Sequence, residues 1–211
     1  MQITILLDAP RTRTDDEFLI RDVPGTSGRL DVVCRILIAA YRTAPIFASC
    51  IQVNAILGGP PHPPLLLRID NVNSGEFPES ELSCALIVKG LLHNYRTTKT
   101  ESNRQWPQFS IAAKSFDDTL KEIAAPPSQL LYLVEKGKPL DQVNIDFDQP
   151  ITLILGDDQG LPVEHEKLVD QYPVQEVSIG TRSLLGSQVV SLFLLEMARR
   201  KEAKRPNTKP G

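Results

Sequence analysis

Two apolar strands in the last third of the chain each run into a glycine-containing loop, ITLILGDDQGLP (151–162) and EVSIGTRSLLGSQ (176–188). In an open parallel sheet, ligands bind at the carboxyl ends of strands, where glycine lets backbone come close to them. Gly156 and Gly180 therefore mark one candidate shared pocket, while ordinary strand-to-helix turns explain the same spacing about as well. LGDDQG is not a GxGxxG fingerprint and carries no Walker lysine, so nothing marks a phosphate cradle. Asp157 and Asp158 read as one helix-capping and one solvated carboxylate rather than as metal ligands. The histidines, among them His62 and His165, lack ligand spacing, and no metal is expected. Ser187 lies outside a GxSxG elbow, which removes support for hydrolase chemistry. Cys34 falls on an apolar helix face and reads as core. Trp106, next to Arg104, could stack on a base but reads better as a packing anchor.

The elements that must position these loops alternate in type. Strands are expected at 2–7, 49–57, 65–70, 109–113, 129–135, 150–156 and 174–180. Helical periodicity starts near Ser27 or Asp31 and ends at Pro45, and recurs over 79–92, 116–124 and Leu184 to about Glu202. Ser115 and Asp118 form a capping-box-like start, and GGPPHPP (58–64) reads as a rigid loop. Residues 94–108 read as a loop, KGKPLDQV as a turn, and DDQGLPVEHEKLVDQY as a loop leading into a helix. Alternating strands and helices imply a mainly parallel α/β sheet. No repeat or composition shift divides the chain, so one domain is expected over residues 1–200, followed by a basic tail at 201–211.

With 211 residues, 41% hydrophobic and 23% charged, the chain can bury a sizeable core. Val32 to Ala40, the longest apolar run, is broken by Arg35, so no membrane span is expected. Met1 to Leu7 is too short for a signal peptide. Cys34, Cys50 and Cys84 show no CxxC spacing, and a reduced cytoplasmic protein is the simplest reading. The net charge of −3 gives no global nucleic-acid footprint. Local basic clusters remain at Arg11 to Arg42, at Arg96 to Arg104 and in the tail; solvated surface is the ordinary reading of such runs.

Four motifs in order, PGTSGRLDVVCR (24–35), GPPHPP (59–64) with LRID (67–70), LILGDDQG (153–160) and VSIGTRSLLGSQ (177–188), resemble a known family. The chain is similar, from about residue 11 to 200, to the archaeal transfer-RNA pseudouridine-54 N1-methyltransferases and their bacterial relatives. These belong to the SPOUT superfamily. The resemblance implies a SPOUT-type, mainly parallel α/β sheet flanked by helices, with a C-terminal deep trefoil knot, a topology that composition alone never suggests.

It further implies S-adenosylmethionine as cofactor, held by Leu133, Gly156 and the run Ile179, Gly180, Thr181, Arg182, Ser183 and Leu184. Leu133, Ile179 and Leu184 would face the adenine, with loop backbone satisfying its polar edge. Val189 stands where the family carries a cysteine, and can supply an apolar wall. On the substrate side the resemblance maps to Arg29 and Asp31 in GRLD and to Arg68 and Asp70 in LRID. Asp70 would be catalytic, orienting the base N–H and accepting its proton, with Arg68 or Arg29 near phosphate. Holding both reactants in line can supply ~7 kcal/mol or more. The last helix is apolar nearly all round, which suggests burial by the sheet and by a second subunit. The family generally dimerises with its substrate site across the interface, so an isologous homodimer is expected. The expected activity is methylation of N1 of pseudouridine 54 in tRNA. Rival expectations are a related enzyme acting on another RNA such as rRNA, and a non-catalytic homologue that binds RNA and cofactor.

Overall fold

The computed structural model of the chain describes residues 1–73, 76–102, 104–180 and 182–203. Its strands are β1 (Ile3–Ala9), β2 (Ile51–Leu57), β3 (Leu65–Ile69), β4 (Phe109–Ala112), β5 (Gln129–Pro139), β6 (Ile151–Leu155) and β7 (Val174–Ser178). They form one sheet in the order β4-β3-β2-β1-β6-β5-β7. β2, β1, β6, β5 and β7 are parallel, while β3 and β4 extend the sheet by antiparallel pairs. The expected mixed, mainly parallel α/β architecture is what the chain adopts. The α-helices are α1 (Val23–Thr26), α2 (Leu30–Arg42), α3 (Glu81–Thr98), α4 (Phe116–Ile123), α5 (Val163–Val169) and α6 (Gly186–Ala203).

Helices cover both faces of the sheet, as a parallel sheet requires. β1 is buried throughout and shows the division by parity. Ile3, Ile5, Leu7 and Ala9 enter the larger core beneath α2, α3 and α6. Leu6 joins the smaller core, with Phe116 and Leu120 of α4 and Val169 of α5. α2 follows the helical stripe, burying Leu30, Val33, Cys34, Leu37 and Tyr41. Ser27 Oγ accepts from Leu30 N at 3.0 Å and donates to Val23 O at 2.5 Å, which anchors the helix start. At α4, Ser115 Oγ accepts from Asp118 N at 3.0 Å, the capping contact its spacing suggests.

Two elements outrun their sequence signals. α3 continues to Thr98, where 94–108 reads as loop; its last turns are polar, with Arg96 tied to Asp16 and the Thr97 and Thr98 hydroxyls donating to His93 O and Asn94 O. β5 continues to Pro139, where KGKPLDQV reads as a turn. Its register against β7 shifts between Leu133 and Lys138, and a Cβ at Gly137 would stand 2.5 Å from the Val177 backbone. Such an irregularity re-aims a strand locally, here at the rim of the cavity described below. The sheet borders are β4, four residues long, and β7, where Gln175 and Glu176 are exposed.

α6 packs along α2. Gly186 lies against Ile36 and Leu155, and the Thr43 and Ser191 hydroxyls meet at 2.9 Å. Val189, Val190, Phe193, Leu194 and Met197 are buried, whereas Leu185, Leu192 and Leu195 are exposed on the outer side.

Glycine substitutions should separate packing from helix propensity. A Cβ at Gly28 (φ +66°) would stand 1.9 Å from Arg11 O, whereas one at Gly90, inside α3, would meet nothing within 4 Å. Gly28→Ala should cost at least ~2 kcal/mol of folding stability. Gly90→Ala should raise stability by up to ~1 kcal/mol. Urea unfolding midpoints check both, and equal shifts of one sign would contradict this packing.

Candidate active site

A cavity of about 610 Å³ opens at the carboxyl ends of β5, β6 and β7. Leu133, Leu155, Ile179, Leu184 and Val189 supply apolar wall, and the loop around Gly156 and the Gly180 turn reach it with backbone. Arg182 and Ser183 also line it, so eight of the nine sequence-derived cofactor positions meet here. The ninth, Thr181, lies outside the described residues. Tyr132, Glu135 and Glu166 add polar groups from the other side of the sheet edge. The mixture of apolar wall with a few polar groups suits a small organic ligand, and the volume falls within the usual range of ~300–1,000 Å³.

The Gly156 loop is folded tightly on itself. A Cβ at Gly156 would meet Gly160 backbone at 2.1 Å, so no side chain fits there. Asp157 Oδ1 accepts from Gln159 N at 2.9 Å and closes the turn. Neither Asp157 nor Asp158 caps the following helix, contrary to expectation, because α5 starts at Val163 after Pro162. Arg11 instead binds both carboxylates: its Nε and Nη2 donate to Asp157 Oδ2 at 3.1 and 2.9 Å, and Nη2 also donates to Asp158. Arg11 is a site residue that the motifs did not identify. Its carbonyl is packed against Gly28 and Gly59, whose Cβ positions would fall 1.9 and 2.3 Å from it.

Arg29 lines the cavity from the start of α2, with left-handed backbone (φ 74°). Its Nε and Nη2 donate to Asp31 at 3.0 and 3.1 Å, and Nη1 lies 3.7 Å from Asp158. Arg35, also at the cavity, donates to Asp31 at 2.7 Å and to Glu81 at 3.3 Å. Burial pushes the Asp31 carboxyl up, but hydrogen bonds from Arg29 and Arg35 outweigh it and hold the group below the ordinary carboxylate range. Asp31 is thus an ionised, buried anchor that aims two guanidiniums.

The other substrate-side pair is elsewhere in the protomer. Arg68 donates to Asn54 at 2.9 Å and to Glu122 of α4 at 2.9 Å, on the sheet face away from α2. Asp70 follows β3, which runs antiparallel, and so falls at the opposite sheet edge. Through the strand pairings Gly156 stands level with Ile56 and Asp70 level with Gln52. Four residues of rise and three strand spacings put them ~20 Å apart. Asp70 lines a second cavity, of about 670 Å³, with Asn71, Glu76, Phe77, Trp106 and others. The structure therefore does not bring Arg68 and Asp70 together with Arg29 and Asp31 around one cavity of one chain. Trp106 packs edge-on to Phe109 at 6.3 Å, in keeping with an anchor.

Two polar clasps hold α5. Tyr132 Oη donates to Glu166 Oε1 at 2.9 Å, and His165 Nδ1 lies 2.5 Å from Asp8 Oδ2 while its ring stacks on Phe116 at 4.3 Å. Asp8 is fully buried, and among the described residues its Oδ1 has no hydrogen-bond partner. Burial raises the Asp8 carboxyl above its ordinary value, against the opposing pull of His165, and the charges of Asp157 and Glu164 add to the rise. The available signal was a lone aspartate closing an apolar strand, since a buried carboxylate needs a partner.

Residues 3–201 match the family described as "Putative SAM-dependent RNA methyltransferase". The tRNA (pseudouridine(54)-N(1))-methyltransferase of Thermococcus onnurineus is 34% identical over 195 residues, covering 89% of this chain and 93% of that protein. The enzyme of the same name from Thermococcus gammatolerans is 31% identical over 191 residues, covering 89% and 93%. Among solved structures, Archaeoglobus fulgidus Nep1 bound to S-adenosylhomocysteine has a TM-score of 0.63 at 14% identity, covering 95% of this chain and 99% of that one. That likeness is one of fold.

The Asp8 clasp makes stability depend on pH in a definite direction. With its value raised in the folded state, Asp8 contributes stability that is complete below the ordinary carboxyl value of 3.8 and is lost as pH rises through the raised one. Asp8→Asn removes this titration while keeping an acceptor for His165. Wild-type stability should therefore fall relative to Asp8→Asn as pH is raised from 4 to 7 in a urea titration series. A difference that stays flat, or grows the other way, would refute the buried carboxyl.

Proposed function

This chain belongs to the S-adenosylmethionine-dependent RNA methyltransferase family, and we propose on that premise that it methylates N1 of a pseudouridine at position 54 of tRNA. The observation that carries this reading is the cavity where β5 and both glycine loops meet, with Arg29 beside it. The cofactor supplies, when bound, a sulfonium methyl group for displacement by a ring nitrogen. The open space at Gly180, the backbone of the Gly156 loop and the apolar faces of Leu133, Ile179, Leu184 and Val189 suit an adenosyl group. Thr181, Arg182 and Ser183 belong to the same cofactor segment. Arg29 engages RNA phosphate, and Asp31 acts on the substrate through Arg29 by fixing its direction.

The family reading includes a homodimer and a C-terminal trefoil knot in a cytoplasmic enzyme. Among the described residues no helix is long and apolar enough to cross a membrane. Exposed Leu192 and Leu195 on α6, with Leu185 just before it, support a helix-mediated two-fold contact. α6 starts at the cavity edge and ends near Phe47, beside the start of β2, where Lys201 lies over the Phe47 ring. Antiparallel pairing of two α6 helices would thus set the Asp70 edge of one protomer toward the cavity of the other. In that arrangement Asp70 accepts the base proton across the interface, with Arg68 behind it on the same strand. The seating of Gly186 against Leu155 and Ile36 supports a C-terminus drawn in between sheet and α2, as a knot requires.

The deciding assay treats total RNA and pseudouridine-containing tRNA with the protein and methyl-labelled cofactor, followed by mass analysis of nucleosides. Label should appear on N1 of pseudouridine in tRNA; label confined to rRNA, or none, would reject the assignment. Asp70→Ala should lower transfer at least ~100-fold while cofactor affinity by calorimetry stays unchanged. Ile179→Glu should abolish cofactor binding. Mixing these two inactive variants should restore activity, because a hybrid dimer contains one whole site; no recovery would reject a site shared across the interface. Leu192→Glu with Leu195→Glu should yield a monomer by light scattering, inactive in transfer.

A further inference from the structure

The charges at the cavity mouth exceed what holding the Gly156 loop requires. Asp157, with 4% of its side chain exposed, already takes two guanidinium hydrogen bonds from Arg11. Asp158 is different, with 39% of its side chain exposed. It accepts from the same Arg11 Nη2 and stands 3.7 Å from Arg29 Nη1, so two cations from separate segments converge on it. Among the described residues Asp158 makes no hydrogen bond within its own loop, and Arg11 Nη1 has no partner. Both guanidiniums are rigidly founded. The Arg11 backbone is pinned by Gly28 and Gly59, and Arg29 holds left-handed backbone while Asp31 fixes its other nitrogens. Non-glycine residues in that conformation cluster where geometry serves function.

An exposed carboxylate on such a pair contributes little stability. A phosphodiester presents the same oxyanion edge, and guanidinium forks match it well. We propose that Arg11 and Arg29 form a seat for one RNA phosphate beside the cofactor cavity, and that Asp158 occupies this seat until RNA displaces it. The inference rests on the RNA-methyltransferase reading and adds to it a residue, Arg11, and an internal competitor, Asp158. The same oxyanion chemistry could come from the α-carboxylate of the cofactor, and the test separates the two sources. Displacing Asp158 leaves Asp157 on Arg11, so the cofactor loop keeps its anchor while RNA binds.

The probe is a fluorescent stem-loop RNA carrying pseudouridine, titrated by anisotropy into wild type, Asp158→Asn and Arg11→Gln between 50 and 200 mM salt. S-adenosylhomocysteine affinity is measured in parallel by calorimetry. Asp158→Asn should tighten RNA binding ~3- to 10-fold. Arg11→Gln should weaken it ~10-fold and make the dependence of log affinity on log salt shallower by about 1. Cofactor affinity should stay within ~2-fold in Asp158→Asn, which leaves Asp157 on Arg11. Effects confined to cofactor affinity would assign the seat to the cofactor carboxylate and overturn the proposal. Unchanged or weaker RNA binding by Asp158→Asn would overturn it too, with the wild-type RNA affinity leaving the family reading intact. A wild type that binds no RNA would remove both.

Discussion

Everything at the cavity depends on a backbone-to-backbone contact among three loops. The segment after β1 lies between the turn before α2 and the turn after β2, where Gly28, Gly58 and Gly59 leave no space for a side chain against residues 10–12. Backbone hydrogen bonds seal the contact, among them Gly58 N to Ala9 O, Gly59 N to Thr12 O, Arg13 N to Ser27 O and Thr14 N to Pro60 O. The proline-rich loop is therefore a fixed wall that holds Arg11 in place. From there the order spreads through charge, from Arg11 to the carboxylates of the glycine loop, and through Arg29 to Asp31 and α2.

The sheet supplies what this contact cannot. β1 sits where the strand order reverses, with β2 on one side and β6 on the other, next to the strands whose carboxyl ends line the cavity. Both faces of β1 are covered, so its single carboxylate has no route to water and is held instead by His165 of α5. Tyr132 and Glu166 do the same one residue further along. α5 is only seven residues long and gains its position from these two contacts and from the apolar floor.

Most of the frame was legible because periodicity encodes it. The apolar run at 2–7 marked β1, and the 3.6-residue stripe identified α2. Serine at 115 named the start of α4. The end of α3 was not legible, since Asn94 to Thr98 is polar and finds its partners in Asp16, far away in sequence. The cofactor positions came from the family resemblance, and the fold gathers eight of them around one cavity. The separation of Asp70 from Arg29 within a protomer was not legible, because it depends on strand direction. LRID reads as a strand whichever way it runs, and the reversal at β3 is fixed by pairing across the sheet. Arg11 carried no local signal, because its role comes from carboxylates 146 and 147 positions away.

The borders of the sheet have a consequence for how copies of this chain can meet. β4 is too short to template a long ladder, and β7 turns Gln175 and Glu176 to solvent. Charge on a border strand discourages the addition of a foreign strand. Growth into ribbons through the main chain is thereby disfavoured at both ends, and contact between copies is steered to side-chain surfaces on the helical layer.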